Sequence, residues 1–157
     1  MREIISTSGY WMSRIKRVSN RRFEKMLADS GIDAFNGAQG QILFVLWQED
    51  NVPIRRVAEL TGLAKNTLTS MLDRMETANL VRREPSPNDR RQIHIVLTDY
   101  ARTLESDYNR ISQQMTEQYF QDFSEDEIHQ FEGYLLRILH NLEGGTDHGQ
   151  DFCSRQQ

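Results

Sequence analysis

The stretch from Ile54 to Leu97 limits what this chain can fold into more than any other. "IRRVAELTGLAKNTLTSMLDRMETAN" carries helical spacing broken at Thr61-Gly62, and the period then changes from 3.6 to 2 within a few residues. The spacing predicts a short helix over 54–60 and a second from about 64 to 79, with Leu68, Met71, Leu72 and Met75 on one face. Ala58 is small enough for close helix approach. Four residues on, Gly62 can take the left-handed turn conformation that other residues resist. Residues 80–84 and 92–97 read as strands of a hairpin turning through Pro85 to Arg91, with Ile93, Ile95 and Leu97 alternating on one side. A helix-turn-helix followed by a β-ribbon fits this order. A plain helical hairpin in an all-α core fits its first half equally.

On either side the pattern is helical. Tyr10, Trp11, Ile15, Val18, Phe23 and Leu27 form a stripe over 10–28, "DSGIDAFNG" breaks it, and a second helix is expected over 38–48 before a turn at "EDNVP". After Thr98 or Asp99, either of which can cap a helix, Ala101, Leu104, Tyr108, Ile111 and Met115 follow in 3-4 spacing. That narrow seam suits helix–helix pairing. Ser124 and Glu127 form a capping box, with Phe123 and Ile128 as a hydrophobic staple. The helix they start carries Phe131, Leu135, Ile138, Leu139 and Leu142 and stops at Gly144-Gly145. The predicted fold is therefore mainly α with a small β-hairpin: a helix-turn-helix and hairpin lobe at 37–99, helical regions at 1–36 and 100–143, and a polar tail at 144–157 expected to be disordered.

The net charge of −4 gives no global sign of a nucleic-acid partner, but the charge is unevenly placed. Residues 55–102 hold nine basic residues against six acids, whereas 103–157 hold three against eleven. Within the basic zone, Lys65, Asn66, Thr67, Thr69, Ser70 and Arg74 lie on the outer face of the second helix. Short polar and cationic side chains of this kind reach base edges and phosphates when a helix N-terminus enters a major groove. Arg82 and Arg83 on the near strand are placed to reach phosphates. Arg90 and Arg91 at the hairpin tip suit the negative potential of a minor groove, with Asp89 expected to pair with Arg91 and fix its direction. Taken alone, the turn reads as an ordinary polar loop; after a helix-turn-helix it reads as a wing.

The segment from Ile54 to Asp99 resembles the winged helix of the MarR family of bacterial transcriptional regulators. Met75-Glu76 and Asn79-Leu80 match the family's helix end, Asp89-Arg90-Arg91 its Asp-x-Arg wing, and Leu97-Thr98 its lead into a long helix. Asn79 replaces the usual glycine and tolerates the same left-handed conformation. Ser70 stands where the family often has arginine, and Tyr100-Ala101 replaces a frequent glycine. The resemblance implies a winged helix-turn-helix embedded between N- and C-terminal dimerisation helices. It implies a homodimer on a pseudo-palindromic double-stranded DNA site, acting as a repressor and released by a small aromatic or anionic effector. Trp11, Arg14, Ile15, Arg17 and Trp47 are the candidate effector residues; the same aromatics also fit an ordinary core.

Other classes find little support. The N-terminus lacks a signal peptide's apolar region, and no stretch approaches the roughly 18–20 apolar residues of a membrane span, so a cytoplasmic location without membrane attachment is expected. Cys153, the only cysteine, lies in the tail, away from the N-terminal helix where some relatives place an oxidant-sensing thiol. Asp147, His148, Asp151 and Cys153 lack metal-ligand spacing, and His129 and His140 are eleven apart on one helix. No nucleophile motif, phosphate loop or zinc motif occurs, so no cofactor, metal or catalytic activity is expected. The alternative to a DNA-binding regulator is a helical protein-interaction module using a winged-helix fold without specific DNA binding.

Overall fold

Residues 5–144 are described by a computed structural model. The first helix, α1 (Ser8–Asp29), ends ahead of Gly31, whose φ of +69° turns the chain. Helix α2 (Gly37–Gln48) begins at a capping box between Asn36 and Gln39, and Glu24 of α1 accepts a further hydrogen bond from the Gly37 amide at 2.6 Å. A carboxylate at a helix N-terminus is electrostatically favoured, so this contact fixes α2 against α1. Helix α3 (Ile54–Thr61) stops where Gly62 adopts φ +68°, and α4 (Lys65–Thr77) follows after a three-residue turn. Asn79, at φ +58°, then reverses the chain into the hairpin, as its tolerance of the left-handed region allows.

The turn expected at "EDNVP" contains a strand. β1 (Val52–Pro53) pairs antiparallel with β3 (Ile93–Leu97), which pairs on its other side with β2 (Val81–Pro85), giving the order β1-β3-β2. Two residues are too few to show a period of 2, and their partner lies some forty residues away, so the strand has no local signature. β3 is thus central, and Ile95, Val96 and Leu97 are buried.

The long helix expected after Thr98 is divided. Thr98 caps α5 (Asp99–Thr103) by accepting from the Ala101 amide at 3.1 Å, while its own hydroxyl donates to the Asn79 carbonyl at 2.7 Å. Leu104 separates α5 from α6 (Glu105–Tyr119). The capping box at Ser124 forms as expected and opens α7 (Glu125–Leu142).

One core joins α1 to α6 and the sheet. Leu27, Ile42, Leu43, Leu46, Val57, Leu68, Leu72, Met75, Leu80, Ile95 and Ile111 are almost fully buried, each worth about 1.5–3 kcal/mol in transfer free energy. The seam expected for pairing with another helix is used inside the chain. Ala101, Leu104 and Ile111 are buried, Met115 packs on the same core, and Tyr108 lies among Phe23, Phe35, Phe44 and Trp47 with ring centroids 5.2–6.1 Å away. Five aromatic rings from α1, α2 and α6 and the α1–α2 connection thus fill the junction of the helical region with the lobe. Helix α7 is the opposite case. It has no buried residue, and Phe131, Tyr134, Leu135, Leu136, Ile138, Leu139 and Leu142 are exposed. Apart from Gly144, the tail and its cysteine lie outside the described residues.

Candidate nucleic-acid interface

Helix α4 presents two faces. Leu68, Leu72 and Met75 hold one against the core, and the 3.6 period then turns Lys65, Asn66, Thr67, Thr69, Ser70, Asp73 and Arg74 outward, all exposed. Ala64 at the N-cap has no side-chain acceptor, so the first-turn N–H groups carry no side-chain cap. Such groups favour an approaching phosphate oxygen. Lys65 stands at this end. Neither Lys65 nor Arg74 makes an ion pair among the described residues.

The hairpin tip is held by its own backbone. The Ser86 amide donates to the Gln92 carbonyl at 2.8 Å and the Gln92 amide to that of Asp89 at 3.0 Å. Ser86 is buried, and its hydroxyl accepts from the Asn88 amide at 3.3 Å. Asp89 orders the turn in a way that differs from the expected ion pair. Its Oδ1 accepts from the backbone amide of Arg91 at 3.0 Å, and no ion pair joins the two side chains. An Asp side chain two residues before an amide closes an Asx turn more readily than it reaches a flexible guanidinium. Arg90 and Arg91 are both exposed, and neither makes an ion pair among the described residues.

The two strand arginines are occupied. Arg82 donates to Glu84 Oε1 at 3.0 Å. Arg83 lies against α4, with Nη2 2.7 Å from Asp73 Oδ1 and Nη1 3.7 Å from Glu76 Oε1. Nothing in the sequence marks Asp73, Glu76 or Glu84 as an arginine partner. Their partners sit on other strands or helices, or two residues along a strand, and no local spacing announces them.

The five candidate effector residues are not brought together in one chain. Trp11 packs edge-on to Tyr10 at 5.0 Å, and Arg14 bonds the Tyr10 hydroxyl while lying over the Trp11 ring. Ile15 and Arg17 are exposed on the same end of α1. Trp47 instead donates its indole N–H to the Ala101 carbonyl at 3.2 Å and packs on Tyr108. Tyr108 packs on Phe23 of α1, about 18 Å along the helix from Trp11 at 1.5 Å per residue. An open groove of about 310 Å³ between α1 and α6 is lined by Val18, Ser19, Arg22, Met115, Gln118 and Tyr119, none of them a predicted effector residue. Among the described residues, no group of three or more His, Cys, Asp or Glu is placed to hold a metal, and no helix is long and apolar enough to cross a membrane.

The outward row of α4 beside an ordered, arginine-tipped hairpin lies entirely within a stretch that comparison with known proteins also singles out. The family model described as MarR family matches residues 35–93, from just before α2 to the first residue of β3. This stretch is a MarR-family domain. The chain has the winged helix-turn-helix fold of MarR-family structures. It is 29% identical over 102 residues to the HTH-type transcriptional regulator MgrA of Staphylococcus aureus, covering 65% of this chain and 68% of that one. It is 38% identical over 63 residues to the HTH-type transcriptional regulator TtmR of Methylorubrum extorquens, covering 40% of this chain and 32% of the other. Two solved structures share the fold. A MarR transcriptional regulator from Methanosarcina mazei has a TM-score of 0.76 at 20% identity, covering 88% of this chain and 97% of its own. A MarR mutant from E. coli complexed with operator DNA has a TM-score of 0.70 at 21% identity, covering 87% and 99%.

Proposed function

We propose that this chain is a MarR-family transcriptional regulator, a cytoplasmic homodimer that binds a pseudo-palindromic operator, represses from it and leaves it on binding a small aromatic or anionic effector. The observation that carries the DNA-binding geometry is the pairing of the exposed row on α4 with the Arg90–Arg91 tip. One element is shaped for a major groove and the other for the minor groove beside it. Lys65, Asn66, Thr67, Thr69, Ser70 and Arg74 form the first contact set; Arg90 and Arg91, on a tip ordered by Asp89, form the second. Arg82 adds a phosphate contact once it exchanges Glu84 for DNA.

Support for the dimer comes from α7. An 18-residue helix with no buried side chain and a row of exposed Phe, Leu and Ile residues is stable only when something covers it. The N-terminal half of α1 exposes Trp11, Ile15 and Val18 in the same way. Charge agrees with a mutual cover: α1 carries Arg14, Lys16, Arg17, Arg21, Arg22 and Lys25, and the first turn of α7 carries Glu125, Asp126 and Glu127. The two winged lobes of such a dimer meet half-sites about one helical turn apart.

The effector claim rests on the Trp11–Arg14 pair, an aromatic face with a cation beside it, and on the family's habit. Trp47, held in the aromatic junction, reports on that region without lining the same site.

The deciding experiment is fluorescence anisotropy with DNA from upstream of the protein's own gene, titrated across salt concentrations. A specific complex whose affinity falls steeply with salt supports the regulator, because phosphate contacts release counterions. Binding that is equal for all sequences, or absent, supports the interaction-module alternative.

A further inference from the structure

The one arginine of the hairpin that is largely buried is turned toward the protein. The Arg83 side chain is 23% exposed, against 53% for Arg82 on the same strand. Its Nη2 lies 2.7 Å from Asp73 Oδ1 and donates to the Thr69 carbonyl at 3.4 Å, while Nη1 lies 3.7 Å from Glu76 Oε1. The other oxygen of Glu76 accepts the backbone amide of Arg83 at 3.0 Å. Residues 69, 73 and 76 fall on one stripe of α4 at i, i+4 and i+7, so the guanidinium lies along two turns of the recognition helix.

Two consequences follow. Asp73 and Glu76 are the only acids in α4, and they offset Lys65 and Arg74. A helix with that balance gains little by approaching phosphates; Arg83 engages both acids and restores a net positive face. The same contacts also fasten α4 to β2 through charge-assisted bonds with fixed fork geometry, which a planar guanidinium makes and an ammonium does not.

We propose that Arg83 is a positioning residue for DNA recognition: it locks the recognition helix to the wing strand and neutralises the acids of that helix, so that both reading elements meet DNA at one spacing. It is not a phosphate contact. The inference rests on the reading of α4 and the hairpin as the DNA surface, and its test has one arm that needs no DNA.

In the DNA-free arm, Arg83→Gln, Asp73→Asn and the double variant are compared by urea unfolding and by amide hydrogen exchange. The expected result is a coupling of about threefold or more in the unfolding equilibrium, as contacting charged groups show. Exchange at the Arg83 amide should also be faster in Arg83→Gln. Additive effects with unchanged exchange overturn the lock, whatever the protein does with DNA. In the DNA arm, Arg83→Gln should lower the ratio of specific to non-specific affinity by about tenfold and leave the salt slope unchanged. Arg83→Lys, which folds with its charge intact, should recover only part of that ratio. A slope reduced by about one at an unchanged ratio is the mark of a phosphate contact and overturns the proposal, as does parental binding by Arg83→Lys. If the parent forms no specific complex while the coupling is present, the DNA-surface reading fails and the lock stands as a structural one.

Discussion

Asp50 joins three parts of the molecule through one carboxylate. Its Oδ2 lies 2.8 Å from Arg102 Nη2 on α5, and its Oδ1 accepts from the buried Leu97 amide of β3 at 2.9 Å and from the Asn51 amide at 2.7 Å. Arg102 is held in turn by Asp99 at 2.9 Å, and hydrogen bonding to Asp50 is the main cause of a guanidinium pKa raised above its ordinary value. The α2–β1 turn, the central strand of the wing and the helix leaving the lobe are thereby fixed to one another. Asp50→Ala should destabilise the fold by about 1–3 kcal/mol, because it leaves the Leu97 amide without an acceptor. Arg102→Gln, at an exposed site, should change stability much less. Urea unfolding of the two variants measures the difference, and equal losses would show that the ion pair, not the amide, dominates.

At the wing tip the backbone bond from Arg91 to Asp89 makes the acceptor matter more than the charge. Asp89→Asn retains an acceptor oxygen and should bind operator DNA nearly as the parent does. Asp89→Ala opens the turn and should weaken binding. Arg91→Ala should weaken it by about tenfold or more through loss of the groove contact itself. Anisotropy titrations on one DNA fragment rank the three. Asp89→Asn binding as poorly as Arg91→Ala would mean that the carboxylate charge has a role of its own.

Tyr108 gives the fold an alkaline limit. Burial pushes its phenol pKa upward, because the ionised form is disfavoured among the rings of Phe23, Phe35, Phe44 and Trp47. A phenol in the unfolded chain ionises near pH ~10. The native state therefore binds more protons than the unfolded state above that pH, and stability present below it is lost as pH rises toward the native value. Tyr108→Phe should remove this loss and leave neutral-pH stability close to parental. Thermal unfolding between about pH 9 and about pH 11, roughly one unit either side of the free phenol, shows whether the alkaline slope flattens.

The exposed face of α7 makes a prediction about assembly alone. Leu135→Glu combined with Leu139→Glu should convert a dimer to a monomer in sedimentation experiments. Since α7 contributes no buried residue to the chain's own core, the winged lobe should keep its structure. Loss of operator binding with the lobe intact would follow from losing the second half-site. A variant that stays dimeric would place the interface elsewhere.

The residues that this sequence decided by itself act over a few positions. Gly62 and Asn79 take the left-handed conformations that their side chains permit, Ser124 and Glu127 close their capping box, and the 3.6-residue spacing of Leu68, Leu72 and Met75 turns the polar row of α4 outward. Each depends on torsion angles or contacts within one or two turns of chain, so the order of helices and the hairpin were readable without coordinates. The tertiary structure decided whatever required knowing what lies opposite. Strand β1 exists because β3 offers it a ladder; the seam from Ala101 to Met115 faces the chain's own core because α1 and α2 lie there. Arg83 faces Asp73 and Glu76 for the same reason, while Arg90 and Arg91 on the same hairpin stay outward. A guanidinium has the same chemistry at all three positions. Which acids lie within about 4 Å of it depends on how separate elements pack, and no local pattern in the sequence records that distance.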